Sequence, residues 1–238
     1  MRKNSDRSNW RYGADQMTHS VAKTVVLAAI MLTTAGFAGC ASTGIAIKEK
    51  LGYAKREQLV DRVQEARDEQ EEAKEQFASA LEEFLSLPGV DGGELEAKYE
   101  QLKDELDDSE DRADAVRNRV RDVERVGTAL FKEWEKELDQ YSSDSLRRSS
   151  ERQLRSTRQR YDQMLGAMQQ AAAKMEPVLT AFRDQVLFLK HNLNARAIAS
   201  LQQNMADLEQ EIAVLIADME ASIAEANAFI DEMGVEGA

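Results

Sequence analysis

The sequence predicts an all-α protein: a long antiparallel four-helix bundle or coiled coil, with helices at about 47–87, 94–140, 145–192 and 195–232 following an N-terminal signal segment. Three observations predict it. Apolar residues recur at steps alternating between three and four, which keeps them on one stripe of a helix. Only two prolines occur in 238 residues. Short turn-forming stretches divide the remainder into segments of similar length, and near-equal helices joined by short connections favour antiparallel neighbours.

The first seam runs Leu59, Val63, Ala66, Gln70, Ala73, Phe77, Ala80, Phe84, Leu87. Pro88-Gly89-Val90-Asp91-Gly92-Gly93 then interrupts it, because proline cannot continue a helix and the glycines supply turn conformations. The second seam is Leu95, Tyr99, Leu102, Leu106, Ser109, Ala113, Val116, Val120, Val123, Gly127, Leu130, Trp134. Tyr141 to Ser145 is a polar break whose Ser or Asp side chains suit an N-cap. The third seam restarts at Leu146 and continues through Leu154, Thr157, Tyr161, Met164, Met168, Ala171, Met175, Val178, Phe182, Val186 and Leu189. Its register is the same on both sides of Pro177, so that proline is expected to kink the helix without ending it. A corner at Asn192-Leu193-Asn194, with Asn194 as N-cap, leads to Ile198, Leu201, Met205, Leu208, Ile212, Leu215, Met219, Ile223, Ala226 and Phe229. Ala213, Ile216 and Ile230 widen this last stripe, which favours a monomeric bundle, although helices of this length can also pair between chains.

Composition narrows the functional classes. With 31 Lys and Arg against 44 Asp and Glu the net charge is −13, the wrong sign for a general nucleic-acid binder, which needs a basic footprint to neutralise phosphates. Acidity alone suggests disorder, but 42% hydrophobic residues held in register supply enough apolar surface to drive packing.

The first 39 residues have the layout of an export signal. Arg2, Lys3, Arg7, Arg11 and Lys23 face only Asp6 and Asp15, Thr24 to Phe37 is uncharged, and small residues precede Cys40. Phe37-Ala38-Gly39-Cys40 resembles the bacterial lipobox, departing from it in having Phe37 where leucine is usual. That resemblance implies a signal peptide over 1–39, lipidation of Cys40, a lipidated N-terminus and linker over 40–47, the bundle over 48–232 and a tail over 233–238. Ala41 and Ser42 follow the cysteine where an Asp would retain a lipoprotein at the inner membrane, so the resemblance implies the outer membrane, on its periplasmic face. The alternative is an uncleaved inner-membrane signal anchor with a periplasmic body, because Thr24 to Ile47 holds no charge over 24 residues and about 20 apolar residues span a bilayer. Removal of 1–39 would take the charge from −13 to −16, since five basic and two acidic side chains leave with it.

Catalytic and metal chemistry finds little to work with. Cys40 is the only cysteine, and His191 is the only histidine beyond the signal segment, which argues against Cys/His nucleophilic catalysis, cofactors and His-rich metal sites. His191, in the last turn of the third helix, reads as a complement to the helix's negative end. Asp104, Glu105, Asp107, Asp108, Glu110 and Asp111 read as a solvated face, with a weak cation site as the alternative. A carboxylate-based hydrolase would need an inward-facing titratable pair. The methionines at 164, 168, 175, 205 and 219 occupy seam positions and read as core.

The most informative cluster is Arg147, Arg148, Arg152, Arg155, Arg158 and Arg160, with only Glu151 between them. Cations at a helix N-terminus oppose its dipole. One reading pairs them with Glu133, Glu135, Glu137 and Asp139 of the second helix. The other uses them as an anionic-ligand site for lipid headgroups or an acidic cell-wall polymer, on an end that topology returns toward the membrane.

Leu59 to Ala80 (LVDRVQEARDEQEEAKEQFASA), Phe182 to Leu201 (FRDQVLFLKHNLNARAIASL) and Ser145 to Met164 resemble a family of uncharacterised Gram-negative lipoproteins catalogued as domain of unknown function 2959, over residues 45–232. The resemblance implies an all-helical envelope protein, and it carries no activity and no catalytic residues. The expected function is therefore a non-enzymatic, lipid-anchored periplasmic protein that scaffolds or docks an envelope protein or cell-wall partner, or binds anionic lipid or polymer through the arginines.

Overall fold

The computed structural model describes the backbone of residues 40–87 and 94–235, and side chains from residue 55 onward apart from 195–197, 202–204 and 235. The expected signal segment, the 88–93 break and the last three residues lie outside the described residues. Four α-helices are present among the described residues: α1 (Cys40–Leu85), α2 (Leu95–Leu138), α3 (Asp144–His191) and α4 (Ala195–Val235). Residues 40–47, expected as a linker, are instead helical and continuous with α1. No proline interrupts them, and a lone Gly44 weakens a helix by only about 1 kcal/mol. Met1–Ile47 and Lys48–Ala238 are separate compact units, and the bundle is the second.

Cross-helix pairs fix the topology of that unit. α1 and α2 are antiparallel, joined by Lys55–Glu133 at 2.6 Å, Arg119–Glu65 at 3.0 Å and Gln76–Glu105 at 2.7 Å. α2 and α3 run antiparallel through Arg158–Glu135 at 2.6 Å and Arg117–Glu176 at 2.8 Å. α3 and α4 do so through Lys174–Asp218 and Arg160–Glu232. Arg67 of α1 donates to Asn227 of α4 at 3.1 Å, closing the ring. The order is up-down-up-down. α1 and α3 are the parallel diagonal pair, in contact through the bundle axis where Phe84 stacks on Phe182 with centroids 4.8 Å apart.

Burial follows the seams. All nine α1 seam residues from Leu59 to Leu87 are buried, including Gln70. α3 continues through Pro177 without ending there, as the unchanged register requires. Its start is capped by Ser143, whose Oγ accepts from the Leu146 N–H at 3.5 Å. Its end is closed at Asn192, whose Nδ2 donates to the Phe188 carbonyl at 2.8 Å.

Two expected seam residues and one expected flank are displaced. Leu146 is 59% exposed. The three-four steps back from Leu154 fall on Ser150 and Arg147, and Ser150 takes the inward position, accepting from Trp134 Nε1 at 2.8 Å. In α4 the buried step from Met219 is Ser222, with Ile223 on the flank. Ala213 is exposed, whereas Ile216 and Ile230 pack against the core as expected.

Gly127 shows how closely the seams fit. A Cβ there would collide with the Tyr161 ring. The ring cannot retreat, because it is buried against Phe131 and Phe229 and its hydroxyl donates to the Val123 carbonyl at 3.3 Å. Burial accordingly raises the Tyr161 hydroxyl pKa far above its ordinary value of 10.0. Gly127→Ala should lower stability by about 1–2 kcal/mol despite alanine's better helix propensity, since overpacking outweighs that gain. Urea melts check it, and combining the change with Tyr161→Leu should recover part of the loss.

Gln70 and Ser222 form a buried polar pair, with Ser222 Oγ donating to Gln70 Oε1 at 2.8 Å. Gln70 Nε2 has no hydrogen-bond partner among the described residues. An unsatisfied buried amide costs about 1–3 kcal/mol, so Gln70→Met should raise the midpoint of a urea melt, provided Ser222 turns back to its own helix's carbonyls.

Candidate functional site

The strongest candidate from the sequence is the arginine cluster at the start of α3. The structure divides it. Arg158 bonds Glu135 of α2 and lies over the Phe131 ring, 4.8 Å from its centroid. Arg160 pairs with Glu232 of α4, not with α2. Arg147 reaches Glu151 of its own helix at 3.5 Å. Arg148, Arg152 and Arg155 are exposed, and none has an ion-pair partner among the described residues. Their spacing of four and three sets them on one face of the helix. Pairing with α2 therefore accounts for one arginine of six. Of the carboxylates expected to do the pairing, Glu133 is engaged by Lys55 of α1 instead.

The sequence reading passed over the surroundings of these arginines. Lys132 and Lys136 are exposed at the same end of the bundle. Tyr141 and Leu146 are exposed by 43% and 59% at the corner between α2 and α3. The signal was available in the heptad count, which places Leu146 off the seam. At the opposite end Leu85, Leu187, Phe188 and Leu193 are exposed. Cys40 is the first residue of α1, and its side chain lies outside the described residues.

The acidic run of α2 is dispersed among structural contacts. Glu105 accepts from Gln76, Asp107 pairs with Lys103 at 2.9 Å, and Glu110 pairs with Arg183. No group of three or more His, Cys, Asp or Glu is arranged to hold a metal among the described residues. Buried polar residues there are Gln70, Ser109, Thr157 and Ser222, with no carboxylate among them. His191 is exposed in the last turn of α3 beside Lys190. A shallow groove of about 510 Å³ lies between α3 and α4, lined by Lys174, Pro177, Asp207 and Val214 among others. Its lysine is held by Asp218. No described helix is long and apolar enough to cross a membrane.

These features define a helical-bundle protein whose polar groups mainly pair with one another along the outside of the rod. A family model described as "Protein of unknown function (DUF2959)" matches residues 45–233, most of the chain. The chain belongs to that family. No curated protein and no solved structure matches it.

The two kinds of arginine should separate in stability. Arg183 bridges Glu110 and Glu176, at 2.9 Å to the latter. Its hydrogen bond holds the Glu176 carboxyl below the ordinary value of 4.5, the Arg183 and Arg117 charges adding to it. A depressed carboxylate contributes stability above its unfolded pKa and loses it as pH falls through the folded one. Arg183→Gln should thus cost about 0.5 kcal/mol at neutral pH after discounting for solvent screening. That difference should shrink in melts taken progressively below pH 4.5. Replacing Arg148, Arg152 and Arg155 with Gln should leave the same melts unchanged.

Proposed function

We propose that this is a non-enzymatic, lipid-anchored protein of the cell envelope, a helical rod that spaces or docks other envelope components from a tether at Cys40. The observation that carries the reading is the pairing of a lone cysteine in a lipobox-like FAGC segment with a body whose α1 seam begins within 20 residues of it. Such a body is long and stiff: 44 residues of α2 extend about 66 Å at 1.5 Å per residue. Support for a non-enzymatic role comes from the buried polar residues among those described, Gln70, Ser109, Thr157 and Ser222, which hold no titratable pair of the kind acid-base hydrolysis uses. Exposed Leu187, Phe188 and Leu193 at the end away from the α2–α3 corner favour docking over passive spacing. All four seams bury against one another within one chain, which favours a monomeric rod.

A second reading, binding of an anionic ligand at the start of α3, is favoured by one observation: Arg148, Arg152 and Arg155 share a face and lack partners among the described residues.

Mass spectrometry of the N-terminal peptide from the membrane fraction tests the anchor. The expected peptide begins at Cys40 and carries a diacylglycerol thioether and an N-acyl chain, and Cys40→Ala should abolish both processing and modification. A membrane-fraction chain that retains residues 1–39 with an unmodified Cys40 would replace the lipid tether by a signal anchor.

A further inference from the structure

The sequence alone treats the arginines as one local cluster, but the fold pairs three of them and leaves Arg148, Arg152 and Arg155 as a basic face at one end of a rod whose other end is acidic. Lys55 of α1 pairs with Glu133 near the C-terminal end of α2, so the chain enters the bundle at the end that carries the α2–α3 corner. That end presents the six arginines of residues 144–160 against Asp144 and Glu151. Lys132 and Lys136 add to it from α2. The acidic groups at that end on the other helices are Glu57 and Asp61 of α1, Glu133, Glu135, Glu137 and Asp139 of α2 and Glu225, Asp231 and Glu232 of α4, so the end as a whole is close to neutral and its basic character is confined to the exposed arginine face of α3. Glu133 is engaged by Lys55, Glu135 by Arg158 and Glu232 by Arg160, and Glu137 also has a partner. The opposite end is acidic. Residues 95–111 of α2 carry eight Asp and Glu against Lys98 and Lys103, and residues 71–83 of α1 carry five Glu against Lys74.

Basic groups of this kind are drawn to an anionic leaflet with about 1 kcal/mol each when near its surface, and the attraction falls within a Debye length. The acidic pole is repelled by the same field, so the polarity sets an orientation as well as an affinity. Tyr141 and Leu146, exposed beside the arginines, are an aromatic and an aliphatic residue of the sort that settle at the headgroup level. A soluble polymer would use the charge alone and would leave both side chains in water.

We propose that the α2–α3 corner is a foot that seats the bundle on an anionic membrane surface, Arg148, Arg152 and Arg155 contacting headgroup phosphates while Tyr141 and Leu146 enter the interface, with the acidic pole held away. The proposal rests on the reading of the chain as held at a membrane by its N-terminal region, and it adds the partner surface and the orientation.

The test uses the full protein purified from the membrane fraction, bearing Ser142→Cys labelled with an environment-sensitive fluorophore, and reconstituted in two sets of vesicles. One set mixes phosphatidylglycerol with phosphatidylcholine, and the other is phosphatidylcholine alone. Peptide mapping confirms the labelled position and reports the state of Cys40 in the same sample, so a failed lipid tether is scored apart from a failed foot. The expected result is a lipid-contact signal in the anionic vesicles that high salt removes and that is absent in phosphatidylcholine. A Leu187→Cys label at the other pole should stay silent. Each arginine replaced by Gln should lower the seated population by about fivefold. Tyr141→Ser with Leu146→Ser should reduce the signal while leaving the melt unchanged. An equal signal in both vesicle types, or one indifferent to the triple arginine change, overturns the foot. So does a signal that appears only with dextran sulfate, which would reassign the arginines to a soluble anionic polymer.

Discussion

Each helix of this protein carries an apolar stripe two positions wide per heptad, and a stripe that narrow is stable only when other stripes cover it. The alternation of three and four continues with hardly a slip from Leu59 to Leu87 in α1 and over some thirty to forty residues in each of the others, so each turn within those stretches demands the same cover. Four such helices meet the demand together by closing a ring around one axis, which Phe77, Phe84 and Phe182 mark at one end and Phe131, Tyr161 and Phe229 at the other. The remaining features of the molecule follow from that closure. Turns must be short, ends must be capped, and any polar residue in a seam must find its partner across the axis.

The exceptions show what the closure tolerates. Gly127 gives up a side chain so that Tyr161 can lie across it, trading helix propensity for a large buried ring and a hydrogen bond. Gln70 sits at a seam position with its amide only half satisfied. A buried polar group of this kind lowers stability, but its partner Ser222 is found in one register of α1 against α4 and no other. Registers displaced by a heptad would leave both groups without partners, which is how single polar residues in coiled coils fix alignment. Outside the core, Arg183 with Glu110 and Glu176 ties α2 to α3. Such exposed pairs contribute little each, so the seams, not the ion pairs, hold the rod together.

The proposed binding surface is what the structure leaves unpaired. An acidic chain that leaves several arginines unpaired on one face carries a local charge that repels itself unless something answers it. Arg158 and Arg160 are answered within the fold, by α2 and α4. Arg148, Arg152 and Arg155 are not answered by any described residue. The same end carries exposed Tyr141 and Leu146, whereas the acidic pole carries Leu187, Phe188 and Leu193. The rod therefore has two chemically different ends, a polarity suited to joining unlike surfaces.

Sequence alone determined the helical class, the number of helices and their limits to within a few residues where both ends are described, except that α1 begins at Cys40 and not near 47. Periodicity is a local property, and Leu59 to Leu87 could be placed inside without knowing what they touch. It failed where a polar residue took an inward position: Ser150 and Ser222 were passed over in favour of Leu146 and Ile223, because apolar character was read in place of angular position. The partners of the arginines were beyond its reach. Arg158 and Arg160 lie two residues apart, but the helix turns about 200° between them, so one faces α2 and the other α4. Which carboxylate a cation meets depends on the register between helices distant in sequence, and that register is set only when the seams close.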